Sequence, residues 1–300
     1  MKVLVTGSNG LLGQKLTSLI SSQEGVELIA TGRGEDRFNG EGYTYHSLDI
    51  TDQQNVDEVI AKVKPDVIIN GAAMTNVDEC EQNQAACWKM NVDSVAYIIA
   101  AAEKNGCFLL HVSTDFIFDG SEGPLLETAE PAPVNYYGES KLEAERLVQN
   151  SQLDWAIART VLVYGITKNM SRSNIILWVK DSLENQKHIK VVDDQWRTPT
   201  LAEDLAQGCF LIAKHKAKGI FNISGEDFLS PYEMAMKTVE YFDLDGSYIE
   251  KADSTIFSQP AKRPPKTGFI IDKAKKELGY QPHSFEEGIA LVAEQIGATV

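Results

Sequence analysis

The chain has 300 residues, of which 43% are hydrophobic and 24% charged, and this balance is that of an ordinary globular protein. Its length suffices for one large domain or two smaller ones. The formal net charge of −15 disfavours a nucleic-acid backbone or an anionic membrane surface as the main partner.

The N-terminal segment reads as a strand, a glycine-rich turn and a helix. Residues 3–6 form a short β-branched run, and an amphipathic helical pattern continues through Ile20. Between them lies Gly7-Ser8-Asn9-Gly10-Leu11-Leu12-Gly13, with the spacing Gly-x-x-Gly-x-x-Gly. Glycines let the backbone approach a pyrophosphate closely, and the free N–H groups at a helix start face its charge. The segment therefore predicts a dinucleotide site.

The second strand, residues 26–30, bears on the choice of cofactor. An acidic residue at this strand end would bind the ribose 2′-hydroxyl of NAD, whereas an arginine accommodates a 2′-phosphate. Arg33 stands close to this strand end, so the sequence predicts NADPH, with NADH as the alternative. A solvated loop arginine stays open as the other interpretation, because Glu35 and Asp36 are close by.

Further apolar strands are predicted at residues 43–47, 65–70, 107–112 and 155–163, and helices alternate with them. This rhythm predicts an α/β fold, a Rossmann-like doubly wound parallel sheet covered on both faces. Ligands bind such sheets beyond the carboxyl ends of the strands. We therefore expect Gly7, Gly71, Ser113-Thr114 and Tyr164 to converge on one crevice.

The rhythm loosens after Gly165. Helices are predicted at 175–183 and 201–213, and strands at 188–192 and 219–223, the last returning to the main sheet. We expect an NADP-binding Rossmann-like domain at 1–165 with a return segment near 196–224. Residues 166–195 and 225–300 then form a smaller, mostly helical C-terminal substrate lobe.

Tyr137 and Lys141 fall one turn apart on a helix predicted from about Tyr136. An ammonium within about 4–6 Å would lower the phenol pKa from its ordinary ~10 and make the tyrosine a better acid–base group. A pair on a solvated helix face is the alternative for this pattern taken alone.

Taken together, these motifs resemble the extended short-chain dehydrogenase/reductase superfamily over nearly the whole chain. Within it the chain is similar to the dTDP-4-dehydrorhamnose reductase family. The resemblance is carried by the glycine turn, Asn70-Gly71-Ala72-Ala73, Asn91, Ser113-Thr114-Asp115, Tyr137-x-x-x-Lys141, and the segments at 73–81, 113–120, 133–138 and 194–200.

The resemblance implies NADPH-dependent reduction of the 4-keto group of a dTDP-sugar, dTDP-4-dehydro-L-rhamnose to dTDP-L-rhamnose, with Tyr137 as proton donor. Thr114 would hydrogen-bond the carbonyl, and Lys141 would lower the pKa of Tyr137 and hold the nicotinamide ribose. The cofactor residues are Gly7, Asn9, Gly10, Leu11, Leu12, Gly13, Arg33, Asp49, Ile50, Gly71, Ala72, Ala73, Asn91, Ser113, Tyr137 and Lys141. The substrate residues are Thr75, Thr114, Phe116, Leu162, Trp196, Arg197 and Arg263.

Two positions depart from the family pattern at the sugar pocket, where Leu162 replaces a common tryptophan and Phe116 a common tyrosine. Lys15 stands where some members carry a carboxylate that serves a magnesium ion, so we expect no metal site.

The remaining features of the sequence bear on the cellular compartment and on alternative functions. No apolar run approaches the roughly 20 residues that span a bilayer, no signal peptide is visible, and four cysteines without metal-site spacing fit a reducing compartment. We expect a cytoplasmic protein that binds a nucleotide sugar, with no membrane or nucleic-acid partner and a possible homodimer. The alternatives are a non-catalytic NADP-binding regulatory subunit resembling the methionine adenosyltransferase β subunit, and a nucleotide-sugar epimerase or dehydratase.

Overall fold

A computed structural model describes residues 1–168, 170 and 173–297 of the chain. The strands are β1 (Lys2–Thr6), β2 (Glu27–Gly32), β3 (Tyr43–Ser47), β4 (Val67–Asn70), β5 (Phe108–Thr114), β6 (Trp155–Thr160), β7 (Val163–Tyr164), β8 (Ile189–Val192), β9 (Thr200–Leu201), β10 (Gly219–Asn222) and β11 (Ile249–Ala252). The α-helices are α1 (Leu11–Ser21), α2 (Gln53–Val63), α3 (Val77–Gln82), α4 (Gln84–Trp88), α5 (Ser94–Asn105), α6 (Tyr136–Gln149), α7 (Ile175–Glu184), α8 (Ala202–His215), α9 (Pro231–Phe242), α10 (Asp272–Leu278) and α11 (Phe285–Gly297).

Seven parallel strands form the central sheet in the order β10-β6-β5-β4-β1-β2-β3. Alternate side chains of β1 enter two separate cores, because successive residues of a strand point to opposite faces. Val3 and Val5 pack with α1, α8 and α10, whereas Leu4 packs with α2, α5 and α6. The prediction of a doubly wound parallel sheet is confirmed, including the return of β10 beside β6.

The sixth strand is shorter than predicted. It ends at Thr160, and β7 instead pairs with β9 in a separate two-stranded ladder. Leu162, between the two, has a φ of +34°, a left-handed conformation that interrupts a strand. The chain therefore turns at Leu162 and leaves the main sheet.

A smaller assembly follows the sheet. Strands β8 and β11 pair in parallel, and Val179 of α7 and Val239 of α9 pack with Val191 of β8. One segment of the predicted lobe also contributes to the main domain, because Phe269, Ile271 and the apolar residues of α10 pack in the same core as Val3 and Val5. Residues 169, 171, 172 and 298–300 of the predicted lobe lie outside the described part of the chain.

Candidate active site

The glycine turn is packed closely against the loop that follows β4. Gly7 has a φ of +70°, and a methyl group on it would lie 2.9 Å from the Cα of Ala72. A methyl group on Gly13 would lie 2.1 Å from the carbonyl oxygen of Gly7. Gly10 is the N-cap of α1, so the exposed N–H groups of the helix start lie at the turn.

Two buried hydroxyls in this region have no hydrogen-bond partner within residues 1–168, 170 and 173–297. They are Ser8 Oγ in the glycine turn and Ser113 Oγ at the end of β5. Buried polar groups are normally satisfied, so unpaired hydroxyls mark places where a polar ligand completes the structure. The N–H groups at the glycine turn and the two unpaired hydroxyls are the donors that the phosphate and sugar groups of a dinucleotide require.

The side chain of Asn9 holds the loop that follows β2. Its amide nitrogen donates to the carbonyl oxygen of Glu35 at 2.9 Å, and its oxygen accepts from the N–H of Arg37 at 2.9 Å. Arg33, in the same loop, is exposed. Asp49 lies near enough for Arg33 to contribute to the low pKa of its carboxyl, which two hydrogen bonds from Thr51 lower most. Asn9 thus acts on the loop as well as on the turn.

A row of four buried polar side chains runs along the carboxyl edge of the sheet, and sequence reasoning missed three of them. Thr6 Oγ1 lies 2.6 Å from Asn70 Oδ1, Asn70 Nδ2 lies 3.1 Å from His111 Nδ1, and His111 Nε2 lies 3.0 Å from Lys141 Nζ. Thr6 Oγ1 also accepts from the N–H of Ala72. Part of the signal for this row was available, since Thr6 and Asn70 are the last residues of β1 and β4, whereas His111 lies in the middle of β5.

The environment of the Tyr137–Lys141 pair differs from the expectation. Lys141 Nζ donates to the carbonyl oxygen of Val112 at 2.7 Å and contacts His111, and burial lowers its pKa from 10.5 to about 8. Burial raises the pKa of Tyr137 above its ordinary 10, and a hydrogen bond with Thr114 opposes that rise. The predicted lowering of the Tyr137 pKa by Lys141 is therefore wrong for this structure, because desolvation dominates.

Both side chains are nevertheless buried inside the protein. Asn135 caps α6 by accepting from the N–H of Gly138, and this cap puts Tyr137 in the first turn. Phe116 packs its ring edge against Tyr137 at a centroid distance of 5.8 Å.

The side chain of Asn91 forms hydrogen bonds with α6 and with the loop after β4. It lies in a π-helical turn, Lys89–Asp93, and its amide nitrogen donates to Ser140 Oγ at 3.0 Å. The same side chain binds the N–H and the carbonyl oxygen of Met74. Asn91 thereby fixes the loop after β4, which contains Gly71, Ala72 and Ala73, against the helix that carries Tyr137.

Thr114 is oriented by its neighbour in the chain. Its hydroxyl donates to Asp115 Oδ1 at 3.1 Å, and the other carboxylate oxygen of Asp115 accepts from Thr267. Arg197 lies 3.7 Å from this carboxylate. Its guanidinium donates to the carbonyl oxygens of Trp196, Pro264 and Pro265 and is 5% exposed. Arg197, predicted as a substrate residue, instead has its guanidinium committed inside the protein.

The remaining predicted substrate residues differ in their exposure and contacts. Arg263 is engaged by Asp78 through two hydrogen bonds. Thr75 is exposed, and Trp196 is half-buried under Lys266, whose amine lies 5.4 Å from its ring. Leu162 is exposed beside a cavity of about 180 Å³ that Tyr164 and Asn174 also line.

Within the described ranges, no group of three or more histidine, cysteine, aspartate or glutamate side chains is arranged so that it could hold a metal ion. Lys15 pairs with Glu203 at 2.7 Å. Within the same ranges no helix is both long and apolar enough to cross a bilayer.

Comparison with known proteins gives consistent results. The family described as RmlD substrate binding domain matches residues 1–297. A dTDP-4-dehydrorhamnose reductase from Aggregatibacter actinomycetemcomitans is 31% identical over 300 residues, covering 96% of this chain and 97% of that protein. Methionine adenosyltransferase 2 subunit beta from Pongo abelii is 29% identical over 269 residues, covering 88% and 78%. The dTDP-4-dehydrorhamnose reductase structure from Bacillus anthracis, in complex with NADP, has a TM-score of 0.83 at 26% identity and covers 98% and 99%.

Proposed function

The chain belongs to the RmlD substrate binding domain family, and we propose that it reduces the 4-keto group of a dTDP-sugar with NADPH, converting dTDP-4-dehydro-L-rhamnose to dTDP-L-rhamnose. One observation carries the proposal: Thr114, Tyr137 and Lys141 are buried, Tyr137 is hydrogen-bonded to Thr114, and a row of hydrogen bonds links Lys141 to the loop that packs against Gly7. The NADP bound to the Bacillus anthracis relative supports the choice of cofactor, with NADH as the alternative.

The cofactor would supply a hydride to the sugar ketone. Its pyrophosphate would be held by the turn at Gly7–Gly13 together with Ser8, and its 2′-phosphate by Arg33. Asp49 and Ile50 would lie by the adenine, with Ala72 and Ala73 along its length. Asn91 would act on the cofactor indirectly, through the loop that it fixes.

Tyr137 would donate its phenolic proton to the C4 oxygen of the sugar. The raised pKa keeps the phenol protonated at pH 7, which is the state that a reduction consumes. Thr114 would stabilise the developing alkoxide. Its proton now points to Asp115, so this role requires the hydroxyl to rotate while Asp115 keeps its bond to Thr267. Lys141 would hold the ribose with a donor that Val112 and His111 leave available.

The test is a reduction assay with purified protein. NADPH and dTDP-4-dehydro-L-rhamnose are mixed with the wild type, the loss of nicotinamide absorbance is followed, and the product is identified by mass and NMR. GDP-keto sugars and NADH serve as comparison substrates and cofactor. Absence of turnover with every dTDP-keto sugar, by a protein that binds NADPH, would reject the proposal.

A second candidate is a non-catalytic NADP-binding regulatory subunit, which the likeness to methionine adenosyltransferase 2 subunit beta favours. It predicts a stable complex with a methionine adenosyltransferase catalytic subunit and no effect of Tyr137→Phe in any sugar assay. A nucleotide-sugar epimerase or dehydratase would instead purify with bound NAD. Homodimer formation stays a prediction, to be checked by sedimentation.

A further inference from the structure

We propose that His111 is a positioning residue for Lys141, which it links through Asn70 and Thr6 to the loop beside the glycine turn. The catalytic consequence rests on the proposed function, but the positioning itself is a property of the protein alone. Sequence motifs assigned no role to His111, Asn70 or Thr6.

The geometry leaves Lys141 one direction in which to act. An ammonium has three N–H donors. One donates to the carbonyl oxygen of Val112 at 2.7 Å and a second meets His111 Nε2 at 3.0 Å. Two fixed partners on β5 therefore restrain the amine, and one N–H is left to point elsewhere. Without His111 the amine would be held at a single point.

The row of hydrogen bonds permits two complementary arrangements of protons. When Lys141 is an ammonium, it donates to His111 Nε2, so the imidazole carries its proton on Nδ1 and donates to the amide oxygen of Asn70, whose amide group must turn end for end from its orientation in the structure. When Lys141 is a neutral amine, it accepts from Nε2–H, so Nδ1 accepts from the amide nitrogen of Asn70. In that second arrangement Asn70 Oδ1 accepts from Thr6, which matches the orientation of the amide in the structure.

The surroundings keep His111 neutral in both arrangements. The imidazole is wholly buried, and burial together with the Lys141 charge lowers its pKa well below 6.5. The titratable groups that face Lys141 are His111, Glu145 and Cys87. Glu145 is paired with Arg159 at 2.7 Å and, like Cys87, favours the ammonium.

The far end of the row lies at the cofactor loop. Thr6 Oγ1 accepts from the N–H of Ala72 at 3.2 Å, and Ala72 packs against Gly7. The protonation state of Lys141 is thereby coupled to the hydroxyl orientation of Thr6, three side chains away. Hydrogen bonds in a buried row polarise one another, so the coupling acts along its whole length.

The first experiment needs no substrate. Protein labelled with ¹⁵N in its five histidines is titrated by NMR from pH 5 to 10, and the His111 signals are assigned by their loss in His111→Gln. We expect neutral His111 throughout, with its proton moving from Nδ1 to Nε2 at an inflection near pH 8. Lys141→Met should abolish that inflection. A His111 that protonates near pH 6.5, or that keeps one tautomer in both proteins, would overturn the proposal.

The second experiment measures the pH dependence of kcat/KM. His111→Phe removes a hydrogen bond from the ammonium of Lys141 and a weaker one to its neutral amine, so the pKa of Lys141 should fall and the alkaline limb should move to lower pH by about one unit. His111→Gln, which restores an acceptor, should move the limb back. A uniform loss of rate with an unmoved limb would indicate a merely structural role and overturn the proposal. Thr6→Val breaks the row at its other end and should give a smaller shift in the same direction, which serves if His111→Phe does not fold.

The two experiments separate the two proposals. Absence of turnover together with the tautomer switch would reject the reductase while leaving His111 as the partner of Lys141. Turnover without the tautomer switch would support the reductase and reject His111 as the positioning residue of Lys141.

Discussion

The carboxylate of Asp78 and the guanidinium of Arg263 form a two-pronged ion pair, with distances of 2.5 and 2.7 Å, although 185 residues separate them in the chain. Asp78 also accepts from the N–H of Ala261. On the other side of the same loop, the carbonyl oxygen of Lys262 accepts from Asn135, the cap of α6. The proline-rich loop is thus held next to the start of α6.

Asp78→Asn should release this loop. We expect faster trypsin cleavage after Lys262, since the bond after Arg263 is followed by proline and resists trypsin. We also expect a loss of unfolding free energy of about 1 kcal/mol, since the pair is partly exposed. Asp57→Asn is the matched control, because Asp57 forms a single-pronged and more exposed pair with Lys104. Equal cleavage of the Asp78→Asn protein and the wild type would contradict the assignment.

Tyr137→Phe should lower kcat by a hundredfold or more while leaving NADPH affinity within about twofold, because the phenol supplies a proton and little binding energy. Stopped-flow reduction and fluorescence titration measure the two quantities. Tyr136→Phe, one residue away, should behave like the wild type. Comparable losses in both variants would point to damage of α6 instead of loss of a proton donor.

Thr114→Val should lower kcat by about a hundredfold, and Thr114→Ser should recover most of it, because only the hydroxyl can meet the developing alkoxide. Thermal unfolding of both variants checks that the bond to Asp115 is not needed for folding. Thr114→Ser as inactive as Thr114→Val would argue against a role for the hydroxyl.

Arg33→Ala should weaken binding of NADPH by about tenfold or more and leave NADH binding nearly unchanged, since a guanidinium meets only the 2′-phosphate. Arg37→Ala, in the same loop, is the comparison variant. Calorimetric titration with both cofactors gives the ratio. Parallel losses for NADPH and NADH would indicate that the arginine supports the loop and not the phosphate.

Lys141→Met should change how stability depends on pH. The wild-type lysine has a pKa of about 8 in the folded protein and 10.5 when unfolded, so between these values the unfolded chain binds more protons and stability rises with pH. Below pH 8 the buried ammonium costs on the order of 3 kcal/mol. Denaturant unfolding should therefore find the variant favoured relative to the wild type at pH 7, with the difference shrinking toward pH 10.5. A pH-independent difference would contradict the burial argument.

The parallel sheet and the helices that alternate with its strands follow from the sequence because they depend on local patterns. The apolar runs at β1, β4 and β5 are continuous, and polar residues at their carboxyl ends meet wherever the strands are parallel. The errors have a different origin. From the sequence, Arg197 is expected to be an exposed cation in a loop. In the structure its guanidinium donates hydrogen bonds to the carbonyl oxygens of Pro264 and Pro265, which lie more than 60 residues later in the chain.

The orientation of Lys141 was likewise beyond local reasoning. Helical spacing puts it one turn from Tyr137, but the direction of its amine depends on His111 and Val112, about 30 residues earlier. Desolvation of Tyr137 depends on how completely Phe116 and its neighbours cover the ring, which no spacing rule contains. At Leu162 the strand is interrupted by a positive φ, which the apolar side chain of leucine does not predict.

Asn9 has a consequence for anyone who would redesign the cofactor preference. The Asn9 amide joins the glycine turn to the segment that carries Arg33, so the two cannot be exchanged as separate parts. A loop grafted from an NAD-dependent enzyme would need carbonyl and N–H groups at the registers of Glu35 and Arg37. A graft of another length would disturb pyrophosphate binding even if its new side chains suited the ribose.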